Sequence, residues 1–218
     1  MLDKIHIYFV PGLAASSDIF EYLEIPRDHF ELHYLDWLVP VSQNESIYDY
    51  AKRMCDLIKH ENPVLVGVSF GGMMVQEMSK IIRVKKIIII SSVKSKHELP
   101  WRLKIAKATK VYKFFPVNVF TNIEKYTKYA IGNTLRKRVQ LYSKYLAMRD
   151  ENYLPWALHN VLNWQQENPP AELVHIHGNK DRIFPIKHVK NCTIMEGGTH
   201  VMILKEAKHI SQLLVEVI

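Results

Sequence analysis

With 218 residues, 48% of them apolar, the chain can bury one sizeable core, which excludes a disulfide-dependent mini-domain and a disordered chain dominated by charge. Its two cysteines, Cys55 and Cys192, offer no disulfide framework and read as small buried hydrophobes in a reducing compartment. The net charge of +7 comes with no nucleic-acid motif, no secretory leader pattern and no apolar run of about 20 residues, so the expectation is a cytoplasmic protein with no nucleic-acid partner and no stable membrane insertion.

Short, β-branched, punctuated stretches predict strands at 5–10, 30–35, 64–68, 86–91, 173–177 and 192–195. The run Ile87-Ile88-Ile89-Ile90 is apolar on both faces, as a central parallel strand requires. Before the third strand, Ser46 is placed to N-cap a helix. Asp49 follows three residues later, and Ile47, Ala51, Met54 and Ile58 recur at helical spacing. The third strand runs into Gly67-Val68-Ser69-Phe70-Gly71, and a helical stretch continues to residue 78. One C-terminal helix is predicted from Ile203, Ala207, Ile210, Leu214 and Val217. Strands alternating with helices predict an α/β architecture, with a mostly parallel sheet of about six strands covered by helices on both faces.

Residues 94–170 break the alternation. They hold no predicted strand, carry helical stretches at 101–112 and 134–148, and are too many for an ordinary connection. The chain therefore divides into a core of 1–93 and 171–218 and a helical insertion of 94–170. Residues 94–149 hold 14 Lys+Arg against 2 Asp+Glu, a net of +12, while the remainder carries −5.

The chemistry begins at Ser69. A G-x-S-x-G sequence between a strand and a helix is the pattern of a nucleophile elbow, a sharp turn that exposes a serine hydroxyl above the sheet. A serine hydroxyl needs a neighbouring base. His200, in the glycine-rich stretch Gly197-Gly198-Thr199-His200, offers an imidazole, the side chain best suited to that task. Asp181, in the loop after the 173–177 strand, suits the fixing of the imidazole tautomer.

On these residues, in the chain order Ser, Asp, His, the sequence resembles the α/β-hydrolase family nearly from end to end. The resemblance implies Ser69, Asp181 and His200 as the catalytic triad and 94–170 as a helical lid. It also implies an oxyanion hole of backbone N–H groups, one from Phe70 and one from Leu13, with Ala14 one step away as the alternative. No cofactor and no metal is implied. The chain would be a small member, starting at a central strand, and Ser69 sets it apart from the branch with an aspartate nucleophile. His175 and His177 share one strand face, where a metal pair is geometrically possible; without an evident third ligand they read as packing histidines beneath the acid loop.

The expected function is hydrolysis of a carboxylic ester through an acyl-enzyme. A thioesterase, a lactonase and a carbon–carbon-bond hydrolase would use the same triad, as would a lyase on this scaffold, and a non-catalytic small-molecule binding module is the alternative of another class. The basic insertion serves either solubility or the attraction of an anionic or carrier-linked acyl group. Its aromatics, Trp101, Tyr145 and Trp156 among them, either line a pocket or pack the insertion against the core.

Overall fold

The alternating pattern resolves into one all-parallel sheet. The computed structural model of the chain describes residues 4–110 and 144–218. Its strands are β1 (Ile5–Val10), β2 (Phe30–Tyr34), β3 (Val64–Val68), β4 (Lys86–Ile90), β5 (Leu173–Gly178) and β6 (Thr193–Met195), in the spatial order β2-β1-β3-β4-β5-β6. The chain runs out from β1 to β2, then crosses back over β1 to β3. The strand order therefore reverses between β1 and β3, and in open parallel sheets a crevice opens at the carboxyl ends of the strands at such a point.

The helices among the described residues are α1 (Ile47–Cys55), α2 (Phe70–Met78), α3 (Trp101–Thr109), α4 (Tyr153–Asn163), α5 (Met202–Lys205) and α6 (Ala207–Val217). Because side chains alternate along a strand, each central strand feeds two cores. Leu65, Ile87 and Ile89 meet Met54 of α1 and Met73, Met74 and Met78 of α2 on one face. Val64, Val66, Val68, Ile88 and Ile90 meet Ile19, Ile203, Ile210 and Leu214 on the other.

Local rules account for the element ends. Ser46 Oγ accepts the Asp49 N–H at 3.0 Å and starts α1. The helix stops at Cys55, so Ile58 lies in the following turn rather than in the helix. The predicted single C-terminal helix is two. Glu206, at φ −111° and ψ 24°, leaves helical geometry between α5 and α6. Ile203 before the break and Ile210 and Leu214 after it all join the same core cluster. Strand and helix bounds otherwise differ from expectation by a residue or so, with two exceptions: the helix expected over 101–112 ends at Thr109, and residues 146–148 of the helix expected over 134–148 are not helical. Residues 111–112 of that stretch, and 134–143 of the other, fall outside the described residues.

Between β4 and β5 the described residues contain no strand. In α4, Pro155 occupies the first turn, where a missing N–H costs nothing. Tyr153 and Trp156 of this helix are fully buried in the core cluster, Trp156 stacking on Tyr50 at 4.1 Å between ring centroids. Trp101, by contrast, is exposed and lies outside the two core clusters. Both cysteines are free. Cys55 is buried, which pushes its thiol up to about 12, but Cys192 is only half-buried, against expectation, because it precedes the edge strand β6. No helix among the described residues is long and apolar enough to cross a membrane.

Candidate active site

Ser69 follows β3 directly and precedes α2, with φ 54° and ψ −116°, a conformation that non-glycine residues hold only where their surroundings enforce it. The surroundings are close indeed. A Cβ on Gly67 would lie 2.2 Å from the Gly71 carbonyl oxygen, and one on Gly71 would lie 2.3 Å from the carbonyl oxygens of both Val10 and Pro11. Any side chain at either position would push α2 away from β3 and β1. The Ser69 N–H donates to Ile90 O at 2.9 Å, and Ser92 Oγ donates to Ser69 O at 2.6 Å, so β4 and the loop after it hold the turn.

The structure brings all three predicted side chains together. Ser69 Oγ lies 2.9 Å from His200 Nε2, and His200 Nδ1 lies 2.8 Å from Asp181 Oδ2. A carboxylate only accepts, so Nδ1 carries the proton and Nε2 presents its lone pair to the serine hydroxyl. The Asp181 side chain is 0% exposed and that of His200 24%. Asp181 Oδ1 accepts the N–H groups of Ile183 at 2.7 Å and Phe184 at 2.9 Å, which fixes Oδ2 toward the imidazole.

Two loops must meet for this pair to form, and the backbone explains how. The Lys180 N–H donates to Gly198 O at 2.8 Å, and the Gly197 N–H to Asn179 Oδ1 at 2.8 Å. A Cβ on Gly178 would stand 2.3 Å from Gly198 O, so the close passage of the loops after β5 and β6 needs glycine there. Gly197, at φ +76°, makes the turn that aims His200 back over the sheet.

Beneath the acid loop, His177 Nε2–H donates to Phe184 O at 2.8 Å. Its Nδ1 is then the acceptor for His175 Nε2–H at 3.2 Å. Burial holds both imidazoles below the ordinary histidine range, so the pair is neutral. His177 thus uses both ring nitrogens, one on His175 and one on backbone, while His175 Nδ1 is buried without a hydrogen-bond partner among the described residues.

The loop after β1 faces the elbow. Phe70 opens α2, so its N–H has no intrahelical acceptor. The Leu13 N–H has no acceptor among the described residues, whereas the Ala14 N–H points to Tyr153 Oη at 3.4 Å. Trp37 holds this loop in place. Its Nε1–H donates to Gly12 O at 2.8 Å, and its ring stacks on Phe70 with centroids 5.0 Å apart. From the other side, the Ser16 N–H donates to Tyr145 O at 2.8 Å and the Met148 N–H to Ala14 O at 3.1 Å, which lays residues 145–148 across the crevice. Glu21 secures this crossing by accepting from Tyr145 Oη and Lys144 Nζ, contacts that hold its carboxyl below the usual carboxylate range.

Between these parts lies a cavity of about 200 Å³ that opens on Ser69 and His200. Ile19, Val68, Leu146, Val201, Ile203 and Leu204 give it apolar walls. Sequence reading missed Trp37, Tyr153 and Ser92, which hold the site without touching its reactive atoms. Only the three-dimensional return of their segments to the elbow identifies them.

No protein-family model and no curated protein matches the sequence. Solved structures do match. MenH from S. aureus superposes with a TM-score of 0.67 at 14% identity, covering 99% of this chain and 94% of its own. BioG from Haemophilus influenzae gives 0.61 at 14%, covering 94% and 92%. A thermophilic esterase from Thermogutta terrifontis gives 0.63 at 15%, covering 97% and 88%. The chain has the α/β-hydrolase fold. At these identities the likeness carries the fold alone, and what the site does must be argued from its own geometry.

Proposed function

We propose that the chain is a serine hydrolase that cleaves carboxylic esters. The observation that carries the reading is the line Asp181–His200–Ser69, joined at 2.8 and 2.9 Å, at the mouth of an apolar cavity. In this reading Ser69 Oγ attacks the ester carbonyl while His200 Nε2 takes its proton, and Asp181 stabilises the imidazolium. The N–H groups of Phe70 and Leu13 receive the oxyanion; Ala14 is the lesser candidate, because Tyr153 already engages its amide. The tetrahedral intermediate collapses, the C–O bond breaks, and His200 gives its proton to the leaving alcohol. Water then attacks the acyl-enzyme with His200 again as base, releasing the acid and regenerating Ser69. The residues supply every proton transfer, so no cofactor or metal is required.

The cavity walls favour an apolar acyl group, since nothing among their six named side chains would pair with a charge inside it. Residues 94–170 serve as the lid, and its net charge of +12 over 94–149 favours an acyl donor with an anionic outer portion, free or carrier-linked. A thioester of such a donor would meet the same triad. The free thiols of Cys55 and Cys192 fit work in a reducing, cytoplasmic setting.

The test is hydrolysis of p-nitrophenyl esters, from acetate to long acyl chains, by wild type and Ser69→Ala in parallel. A burst of nitrophenol and steady turnover, both lost in Ser69→Ala with its thermal midpoint unchanged, are expected. A folded wild type that gives neither burst nor turnover, on these esters or their thioesters, would overturn the reading in favour of a binding module.

A further inference from the structure

Far from the elbow, three more histidines converge. His6 lies on β1, His33 on β2 and His60 in the connection between α1 and β3. The parallel register opposes His6 to Glu31 and Tyr8 to His33, which sets His6 and His33 on one face of the sheet as diagonal neighbours. Among the described residues this is the only group of three or more His, Cys, Asp or Glu side chains whose ligand atoms all lie within 4.8 Å of one another. His6 Nδ1 is 3.0 Å from His33 Nε2, and the His6 and His60 rings stack with centroids 3.5 Å apart. Glu31 completes the group, its two carboxylate oxygens each 3.8 Å from one of those nitrogens, His6 Nδ1 and His33 Nε2.

We propose that His6, His33 and His60, with Glu31 as fourth ligand, form a binding site for a divalent transition-metal ion of the zinc class.

The donor set selects the ion. Three imidazoles and one carboxylate suit Zn²⁺ and its neighbours Co²⁺, Ni²⁺ and Cu²⁺; calcium and magnesium ask for oxygen. The spacing suits it too. Two nitrogens on one zinc, each at about 2.0–2.1 Å in tetrahedral geometry, stand roughly 3.3 Å apart. The His6–His33 separation is already close to that, and the His60 ring has only to fan away from His6. Its segment, outside any helix or strand, permits the movement. A support for the ligand is also in place. Tyr8 Oη accepts the Lys59 N–H at 3.1 Å and lies 2.6 Å from His60 Nδ1. With Nδ1–H turned to Tyr8, His60 Nε2 presents its lone pair to the ion, the usual outer-shell arrangement of a ligating histidine. The His6 and His33 side chains are 23% and 22% exposed, so an ion can reach them.

The position defines the role. Tyr8 precedes Gly12 by four residues, about 13 Å along an extended chain, so the cluster lies toward the opposite end of β1 from Ser69. An ion there ties the edge strand β2, β1 and the α1–β3 connection into one unit. It stabilises the folded chain without entering the chemistry at Ser69.

The experiment uses full-length protein without a polyhistidine tag, stripped with chelator and titrated with Co²⁺ by visible absorption and with Zn²⁺ by calorimetry. Expected are one equivalent per chain, a four-coordinate Co²⁺ spectrum, and a thermal midpoint raised by Zn²⁺. His33→Ala and His60→Gln should each weaken binding at least tenfold, and Glu31→Gln, on an exposed side chain, should weaken it less. All three should keep the wild-type circular dichroism and p-nitrophenyl ester turnover. Should a histidine variant fail to fold, Glu31→Gln still carries the test through its changed Co²⁺ spectrum. No binding by wild type, or stoichiometric binding that survives the substitutions unchanged, overturns the site.

Discussion

Replacing Asp181 by asparagine isolates the proton logic of the site from its shape. In the native loop, Oδ1 is fixed by the Ile183 and Phe184 N–H groups at 2.7 and 2.9 Å, and Oδ2 faces His200 Nδ1 at 2.8 Å. An asparagine must keep its amide oxygen in the Oδ1 place. The reverse orientation would set NH₂ against two donors and leave two backbone N–H groups unpaired, at about 1–3 kcal/mol each. The NH₂ therefore faces His200 Nδ1, which can only accept. Neutral His200 then carries its proton on Nε2, 2.9 Å from Ser69 Oγ, and cannot take another from the serine. The expected loss is about 10⁴-fold in kcat, or roughly 5.5 kcal/mol of transition-state stabilisation. KM should change little, because Asp181 does not line the cavity. Steady-state hydrolysis of a p-nitrophenyl ester measures both constants, and thermal unfolding should show a shift worth no more than about 1–2 kcal/mol. Asp181→Ala, which strands both N–H groups, should lose more stability for a similar loss of rate. A kcat for Asp181→Asn within tenfold of wild type, in a folded protein, would refute the assignment of tautomer and roles.

Further outcomes follow from particular contacts. Gly71→Val should fail to accumulate as folded protein, since its Cβ would sit 2.3 Å from two carbonyl oxygens; soluble variant with a wild-type thermal midpoint would contradict the account of the elbow. Leu146→Trp narrows the cavity at a partly exposed wall and should move the preferred p-nitrophenyl ester toward acetate, with long-chain kcat/KM falling about tenfold or more; an unchanged chain-length profile would place the acyl group elsewhere. Burial holds His175 and His177 below their unfolded pKa of about 6.5, so in acid the unfolded chain takes up protons that the folded chain refuses. The stability this pair contributes is complete above about pH 6.5 and is lost as pH falls through the folded values. The thermal midpoint should therefore drop between pH 7 and 5, and His175→Gln/His177→Gln should flatten that slope; equal slopes would sink the idea.

The parts of the molecule legible in the sequence are those whose signal is local. Ile87 to Ile90 announce a strand buried on both faces, and β4 is one. Ser46 and Asp49 announce a helix start, and the cap is there. Ser69, Asp181 and His200 could be placed because each sits beside glycines or at a strand end, where chain geometry and chemistry coincide. What could not be read depends on distant returns of the chain. Tyr153 and Trp156 lie in a helix that no periodicity singled out, and they matter because α4 docks on Trp37 and Tyr50. The His6–His33–His60 group was invisible for the same reason. Its members are separated by 27 residues each, and only the β1–β2 register and the turn before β3 bring them together. The break at Glu206 escaped notice because the apolar spacing runs through it unchanged.

The arrangement of the site follows from the topology. Ser69 leaves the end of β3, the Leu13 loop leaves the end of β1, Asp181 follows β5 and His200 follows β6. Four carboxyl ends of one parallel sheet thus bring together the residues to which the proposed mechanism gives the parts of nucleophile, oxyanion donor, acid and base. At its centre, in β3 and β4, that sheet is buried on both faces, and parallel ladders register all six strands. In the proposed reading, selectivity by contrast rests with cavity-lining side chains that the sheet does not dictate: Leu146 on the returning segment, Ile19 in the 17–20 turn, and Val201 to Leu204 before and within α5. Substitutions among these should change which acyl group is taken while leaving the 2.8 and 2.9 Å contacts of the triad in place. Substitutions at Gly67, Gly71 or Gly178 should do the reverse, because there the backbone itself fills the space that a side chain would need.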